Sequence, residues 1–150
     1  MAGVSDAIPE IGLIVVGDEI LSGRRQDRHM TAVIERLGAR GLELAWARYI
    51  GDDHARLRGL LAQTMATEAL VFCCGGIGAT PDDVTRPAAA EAAGRPLERH
   101  AEGEAILRER FHEQATEDRL RMVDFPSGAA LIPNPVNRVP GFQIARHCFV

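Results

Sequence analysis

Two adjacent carboxylates, Asp82 and Asp83, follow a run with three glycines in four residues, Gly75-Gly76-Ile77-Gly78, across a short Ala79-Thr80-Pro81 link. Glycine-rich backbone that turns into a helix start offers N–H groups to a phosphate or another anion, with no Cβ atoms in the way. Bare carboxylates would repel that anion. A divalent cation between acid and phosphate removes the conflict, and Mg2+ is typically held through one or two carboxylates together with substrate phosphates. The pattern points to a small phosphorylated ligand held by main chain and by Mg2+, with Asp82 and Asp83 as the metal-holding side chains. A plain tight turn followed by a capped helix uses the same residues, and on this stretch alone it stays open.

Two more acidic pairs stand in similar surroundings. Asp18-Glu19 follows the apolar run Ile11-Gly12-Leu13-Ile14-Val15-Val16, and Asp52-Asp53 follows a mixed run from Leu42 to Ile50. Leu70 to Cys74, before the glycines, reads as a strand buried on both faces. The mixed run holds the only Trp and Tyr and reads as a strand nearer a sheet edge. Between these strands lie two amphipathic helices. One starts near Asp27, with Met30, Val33, Ile34 and Leu37 on one face and Gly38 and Gly41 at its end; the other carries Leu57, Leu60, Leu61 and Met65, with Asp52 or Asp53 as N-cap. Strand–turn–helix units in series without hairpin signals mean a parallel sheet, and ligands of such sheets bind at the carboxyl ends of the strands. All three acidic turns fall at that edge. For the third helix, Thr80 and Thr85 are both candidate N-caps. Pro87 favours Thr85, which leaves Asp83 free for chemistry.

Gly94-Arg95-Pro96 ends the third helix, and a charged helix from Ala101 to Ala115 follows, with Ile106, Leu107 and Phe111 as its apolar contacts. After Leu120 to Phe125, turn signals at Pro126-Ser127-Gly128, Pro133-Asn134-Pro135 and Pro140-Gly141 frame short strands of a mixed edge, at 129–132 and 142–145. His147 to Val150 begins another apolar run. The five histidines show no ligand spacing and read as surface or supporting residues. No Gly-x-Ser-x-Gly and no Gly-Lys-Ser/Thr loop occurs, which excludes serine-hydrolase and P-loop chemistry.

The 150 residues make one domain, 1–150, with residues 1–10 as an N-terminal tail. A net charge of −4 with no basic block, and few aromatics, argues against nucleic acid as partner. No apolar run reaches membrane-spanning length, and Met1 to Glu10 lacks a signal-peptide pattern. The odd cysteine count, three, fits small core residues in a reducing compartment, so the expected location is cytoplasmic. Cys73 and Cys74 should point to opposite faces of their strand.

The order Val-Gly-Asp-Glu-Ile-Leu-Ser-Gly (16–23), Ile-Gly-Asp-Asp (50–53), Gly-Gly-Ile-Gly-Ala-Thr-Pro-Asp-Asp-Val-Thr (75–85), Ile-Pro-Asn-Pro-Val (132–136) and Pro-Gly-Phe (140–142) resembles the molybdopterin-binding domain family. It is most similar to the amino-terminal domain of competence/damage-inducible proteins of the CinA type, with molybdenum-cofactor biosynthesis proteins and the gephyrin G domain as more distant relatives. The resemblance implies a three-layer α/β/α fold with a mostly parallel sheet and a mixed edge. It implies molybdopterin or an adenine nucleotide as ligand, and Mg2+-dependent adenylyl transfer or dinucleotide pyrophosphate hydrolysis as activity. By position the acids that matter are Asp83 and Asp52, with Asp82 beside them. Ligand contacts are expected from Gly75, Gly76, Gly78 and Thr80, and from Gly17 and Glu19 in the first turn. Asp18 stands where many relatives carry a small hydroxyl residue, and His29 where CinA-type sequences often have Asn. The family pattern runs on past Val150 into a Pro-Gly loop, so the C-terminal end reads as truncated relative to the family. Apolar strands and a proline-rich edge after Phe125 lead to an expected homo-oligomer. The alternative function is a non-catalytic assembly module that keeps the fold.

Overall fold

Every residue of Ile11–Val16 (β1) is buried, as happens in a strand covered on both faces of a sheet. The structure, a computed structural model, describes residues 7–150. Of the expected N-terminal tail and of the stretch read for a signal peptide, residues 1–6 lie outside the described residues.

In chain order β1 is followed by α1 (Asp18–Leu21), α2 (His29–Gly38), β2 (Trp46–Ile50), α3 (His54–Met65), β3 (Leu70–Cys74) and α4 (Thr85–Ala93). Then come β4 (Leu97–Arg99), α5 (Ala101–Phe111), α6 (Glu117–Leu120), β5 (Asp124–Pro126), β6 (Ala130–Ile132), β7 (Gly141–Ile144) and β8 (His147–Phe149). Six strands form one sheet in the order β2-β1-β3-β8-β7-β6, with β4 and β5 as a separate antiparallel pair that the sequence did not signal. β1 pairs in parallel with β2 and β3, and β3 with β8; β7 runs antiparallel to β8 and β6. Val16 lies opposite Ile50, and Val15 opposite Cys74, so the first three strands end level and shed their turns at one edge.

Helices cover both faces, giving the three-layer α/β/α arrangement expected. On one face Ile14, Val71 and Cys73 pack with Leu57 and Leu61 of α3, Ala88 and Ala89 of α4 and Leu107 of α5. Phe125, Phe142 and Phe149 stack through this core at centroid distances of 4.9 and 4.5 Å. On the other face Leu13, Val15 and Cys74 meet Val33 of α2 and Leu44. Cys73 and Cys74 therefore do point to opposite faces. Among the described residues no helix is long and apolar enough to cross a membrane.

Four sequence expectations need correction. α2 buries Leu37 but leaves Met30 37% and Ile34 47% exposed, because the helix overhangs the edge strand β2 and they border an open groove beside Trp46. Asp27 stands outside that helix, accepting the His29 and Met30 N–H groups. The charged helix stops at Phe111 rather than Ala115, since His112 takes a positive φ of 49° and a 3-10 turn follows. His147 is no surface or supporting residue of a site. It is 1% exposed in β8, with Nε2 at 2.8 Å from the Thr64 hydroxyl, and burial pushes its pKa down to about 4.

Candidate functional site

The level ends of β1, β2 and β3 bring the three acidic turns together, and hydrogen bonds fasten them. Gly17 N–H donates to the Ile50 carbonyl at 2.9 Å. Asp18 and Asp52 then exchange bonds: the Asp52 N–H donates to Asp18 Oδ1 at 2.9 Å, and the Asp18 N–H to Asp52 Oδ2 at 3.2 Å. Asp18 is thus a tie between two turns. Of the two candidate caps of α3, Asp53 is the one used, accepting the Arg56 N–H at 3.0 Å, and Asp52 is left facing the other acids.

The loop after β3 is rooted by the Gly75 N–H on the Val150 carbonyl. Gly75 and Gly76 have φ of 102° and 69°, which residues with a Cβ rarely adopt. A Cβ on Gly75 would lie 2.2 Å from the Val16 carbonyl oxygen, and one on Gly76 2.2 Å from the Thr85 hydroxyl. Both glycines are bare where the loop presses against β1 and α4. Thr85 is the first residue of α4 rather than its cap; its hydroxyl donates to the Gly75 carbonyl and its N–H to the Gly76 carbonyl. Pro87, third in that helix, lacks only an N–H that would have had no intrahelical partner.

Asp83 is not free, as the sequence suggested. Its Oδ2 accepts both the N–H (2.9 Å) and the hydroxyl (2.8 Å) of Thr80, and its own N–H returns to the Thr80 carbonyl. This closes the turn Thr80–Asp83, while Oδ1 has no hydrogen-bond partner among the described residues. The N–H groups of Gly76, Ile77, Gly78 and Ala79 likewise make no hydrogen bond among the described residues. Four consecutive donors stand unclaimed beside the carboxylates.

Sequence reasoning missed Arg86, the second residue of α4. It is 5% exposed, and its two terminal nitrogens donate to the Ile77 and Gly78 carbonyls, the latter at 2.7 Å. All the sequence offered was a lone arginine between Thr85 and an alanine-rich stretch, of which Ala88, Ala89 and Ala90 are buried.

The carboxylates of Asp18, Glu19, Asp52, Asp82 and Asp83 line one open cleft of about 380 Å³, with Gly76, Thr80 and a single cation, Arg24. Gly17, Gly75 and Gly78 shape its walls without lining it. Burial raises the Asp52 pKa, and the charges of Asp18, Glu19 and Asp83 raise it further against the Asp18 N–H bond. Five carboxylates face one arginine across this cleft, a surplus of negative charge that a cation would offset. Among the described residues no three metal-ligating side chains stand close enough to enclose a metal by themselves. The oxygen-only set fits Mg2+, which keeps water and phosphate oxygens in its remaining positions. Beside the Thr80–Asp83 turn lies a second hollow of about 330 Å³, lined by Pro81, Pro87 and Leu97 together with Asp118, Arg121 and Asp124.

Residues 12–148 match the family described as "Probable molybdopterin binding domain". The chain is 35% identical over 138 residues to a "CinA-like protein" of Anaeromyxobacter dehalogenans, covering 90% of this chain and 34% of that protein. It is 36% identical over 135 residues to a "CinA-like protein" of Geobacter metallireducens, covering 88% and 33%. The chain thus spans about a third of the length of the curated relatives it matches. Among solved structures, the protein CinA from Thermoplasma acidophilum, described as of unknown function, superposes with a TM-score of 0.84 at 25% identity, over 94% of this chain and 87% of that one. The molybdopterin biosynthesis enzyme MoaB from Thermus thermophilus shares the fold at a TM-score of 0.53 and 19% identity, over 95% and 79%.

Proposed function

The chain belongs to the molybdopterin-binding domain family, and from that premise we propose that its acidic cleft binds the phosphate of a pterin or adenine nucleotide together with Mg2+, and acts on a phosphoanhydride. The observation that carries this reading is the row of four unclaimed N–H groups, Gly76 to Ala79, beside carboxylates too crowded to be content without a cation. The N–H groups take phosphate oxygens. Asp83, through Oδ1, and its neighbour Asp82 would hold the metal, which when bound neutralises charge on the phosphoanhydride. Asp52, its carboxyl already raised by burial and by its neighbours, is the side chain best suited to take a proton from an attacking water or hydroxyl. Asp18 and Thr80 position Asp52 and Asp83 through the bonds described above. The neighbouring hollow, lined by Pro81, Pro87 and Leu97 and by the charged Asp118, Arg121 and Asp124, offers a seat for the remainder of such a ligand within reach of the same turn.

Asp83→Asn tests the assignment. Asparagine keeps an oxygen for the two Thr80 bonds but removes the charge. Titration with ADP-ribose and with AMP should show Mg2+-dependent binding, and any hydrolysis, falling steeply, while metal-free binding holds or improves as repulsion is relieved. A variant whose melting temperature moves but whose ligand and metal titrations do not would make Asp83 a turn residue only.

A second reading, an assembly module that forms homo-oligomers, draws on one observation. The groove between α2 and the edge strand β2, about 470 Å³, leaves Met30 and Ile34 exposed beside Trp46. Sedimentation at micromolar concentration checks it: a lone monomer counts against pairing, and an oligomer that Ile34→Glu splits supports it.

A further inference from the structure

We propose that Arg86 is the positioning residue of the glycine-rich loop: it holds the Ile77 and Gly78 carbonyls inward and thereby aims the Gly78 and Ala79 N–H groups outward, at the phosphate. This rests on the phosphate-site reading above and adds to it the part that sets the donors. In a trans peptide the carbonyl of one residue and the N–H of the next point in opposite directions, and no described peptide bond is cis. With both carbonyls drawn onto the buried guanidinium, both following N–H groups must face away from it. A flip of either peptide would instead turn a carbonyl oxygen toward the anion. The guanidinium meets the two carbonyls from two separate nitrogens in a rigid fork, a geometry that the single compact ammonium of lysine does not reproduce. The Arg86 guanidinium is also close enough to Asp83 and Asp124 to feel their charges, so it adds positive charge behind the loop it holds.

The test compares wild type with Arg86→Lys and Arg86→Met, using inorganic pyrophosphate with Mg2+ as probe and amide NMR spectra as readout. Wild type should show the Gly78 and Ala79 amides moving on titration. In both variants those amides should already be displaced without ligand, the remaining amides should keep a folded pattern, and pyrophosphate affinity should fall by about tenfold or more, the scale of one or two directed hydrogen bonds. Should Arg86→Met fail to fold, Arg86→Lys, which retains charge and length, decides the matter. Unchanged pyrophosphate affinity in a folded Arg86→Lys overturns the positioning role and leaves the phosphate site standing. Wild type that binds neither pyrophosphate nor nucleotide overturns the phosphate site, and with it the purpose assigned to Arg86.

Discussion

Gly76→Ala measures how the glycine-rich loop is built. At φ of 69° a residue with a Cβ costs about 1–2 kcal/mol. The added carbon would also sit 2.2 Å from the Thr85 hydroxyl and 3.3 Å from Val16 Cγ1. Thr85 is fully buried, so its hydroxyl has to swing away and release the Gly75 carbonyl, and an unsatisfied buried acceptor costs about 1–3 kcal/mol. The sum is about 2–5 kcal/mol of lost stability. Thr85→Ala removes the atom that is struck, so in that background Gly76→Ala should cost only the backbone contribution. Urea denaturation of the wild type, both single variants and the double variant closes the cycle. The expected coupling is about 1–3 kcal/mol in favour of the double variant. Costs that add to within about 0.5 kcal/mol would refute the contact. If Gly76 were bare only to admit a ligand, Gly76→Ala would weaken binding and leave the denaturation midpoint in place.

Three other outcomes follow from the same geometry. His147 is buried with its pKa lowered from 6.5 to about 4, so the unfolded chain takes up the proton first as pH falls; stability is complete above about pH 6.5 and lost between there and pH 4. That gap is worth about 3 kcal/mol at 1.4 kcal/mol per tenfold change in proton affinity. The wild-type loss across pH 6.5 to 4 should therefore exceed that of His147→Gln by about this amount, and parallel stability curves would contradict it. Asp18→Ala should loosen the tie between the first two turns at a cost of about 0.5–1.5 kcal/mol. With one neighbouring charge gone, the Asp52 carboxyl should titrate lower, which carbon-detected NMR reports; an unmoved Asp52 would mean the two charges do not sense each other. Asp52→Asn should leave the ligand-free protein as stable as wild type or more so, since mutual repulsion falls and an oxygen remains for the Asp18 N–H, yet it should abolish Mg2+-dependent turnover of ADP-ribose; a folded variant with full activity would remove Asp52 from the chemistry.

The apolar runs and their glycine boundaries made the parallel half of the sheet readable, because β1 and β3 are buried on both faces and their residues answer only to that requirement. The meeting of the acidic turns followed directly, since level parallel strands put their ends at one edge. What escaped was set by contacts distant in sequence. β4 and β5 are three-residue strands joined across two intervening helices, α5 and α6, and nothing in Leu97-Glu98-Arg99 announces a partner at Asp124-Phe125-Pro126. Arg86 went unread because its partners are carbonyls, which no residue type reveals. The freedom assigned to Asp83 came from deciding between two caps when the structure uses neither: Thr80 closes a turn, and α4 begins uncapped at Thr85. Met30 and Ile34 had the right spacing for burial, but spacing does not tell how far a helix overhangs the sheet.

β8 lies between β3 and β7, and its pairing of Val71 with His147 joins segments separated by about half the chain. The Gly75 N–H, at the root of the glycine-rich loop, waits for the same late segment, since its acceptor is the carbonyl of Val150. Non-local parallel pairing is slow to form, because loop closure must come before the contacts that reward it. The β1–β2–β3 unit with its two crossover helices can assemble from local contacts, and the floor of the cleft with it. The loop gains its anchorage only when residues 147–150 have docked, so the anion-binding capacity of this domain should arise in the final phase of folding, after most helical signal has already appeared.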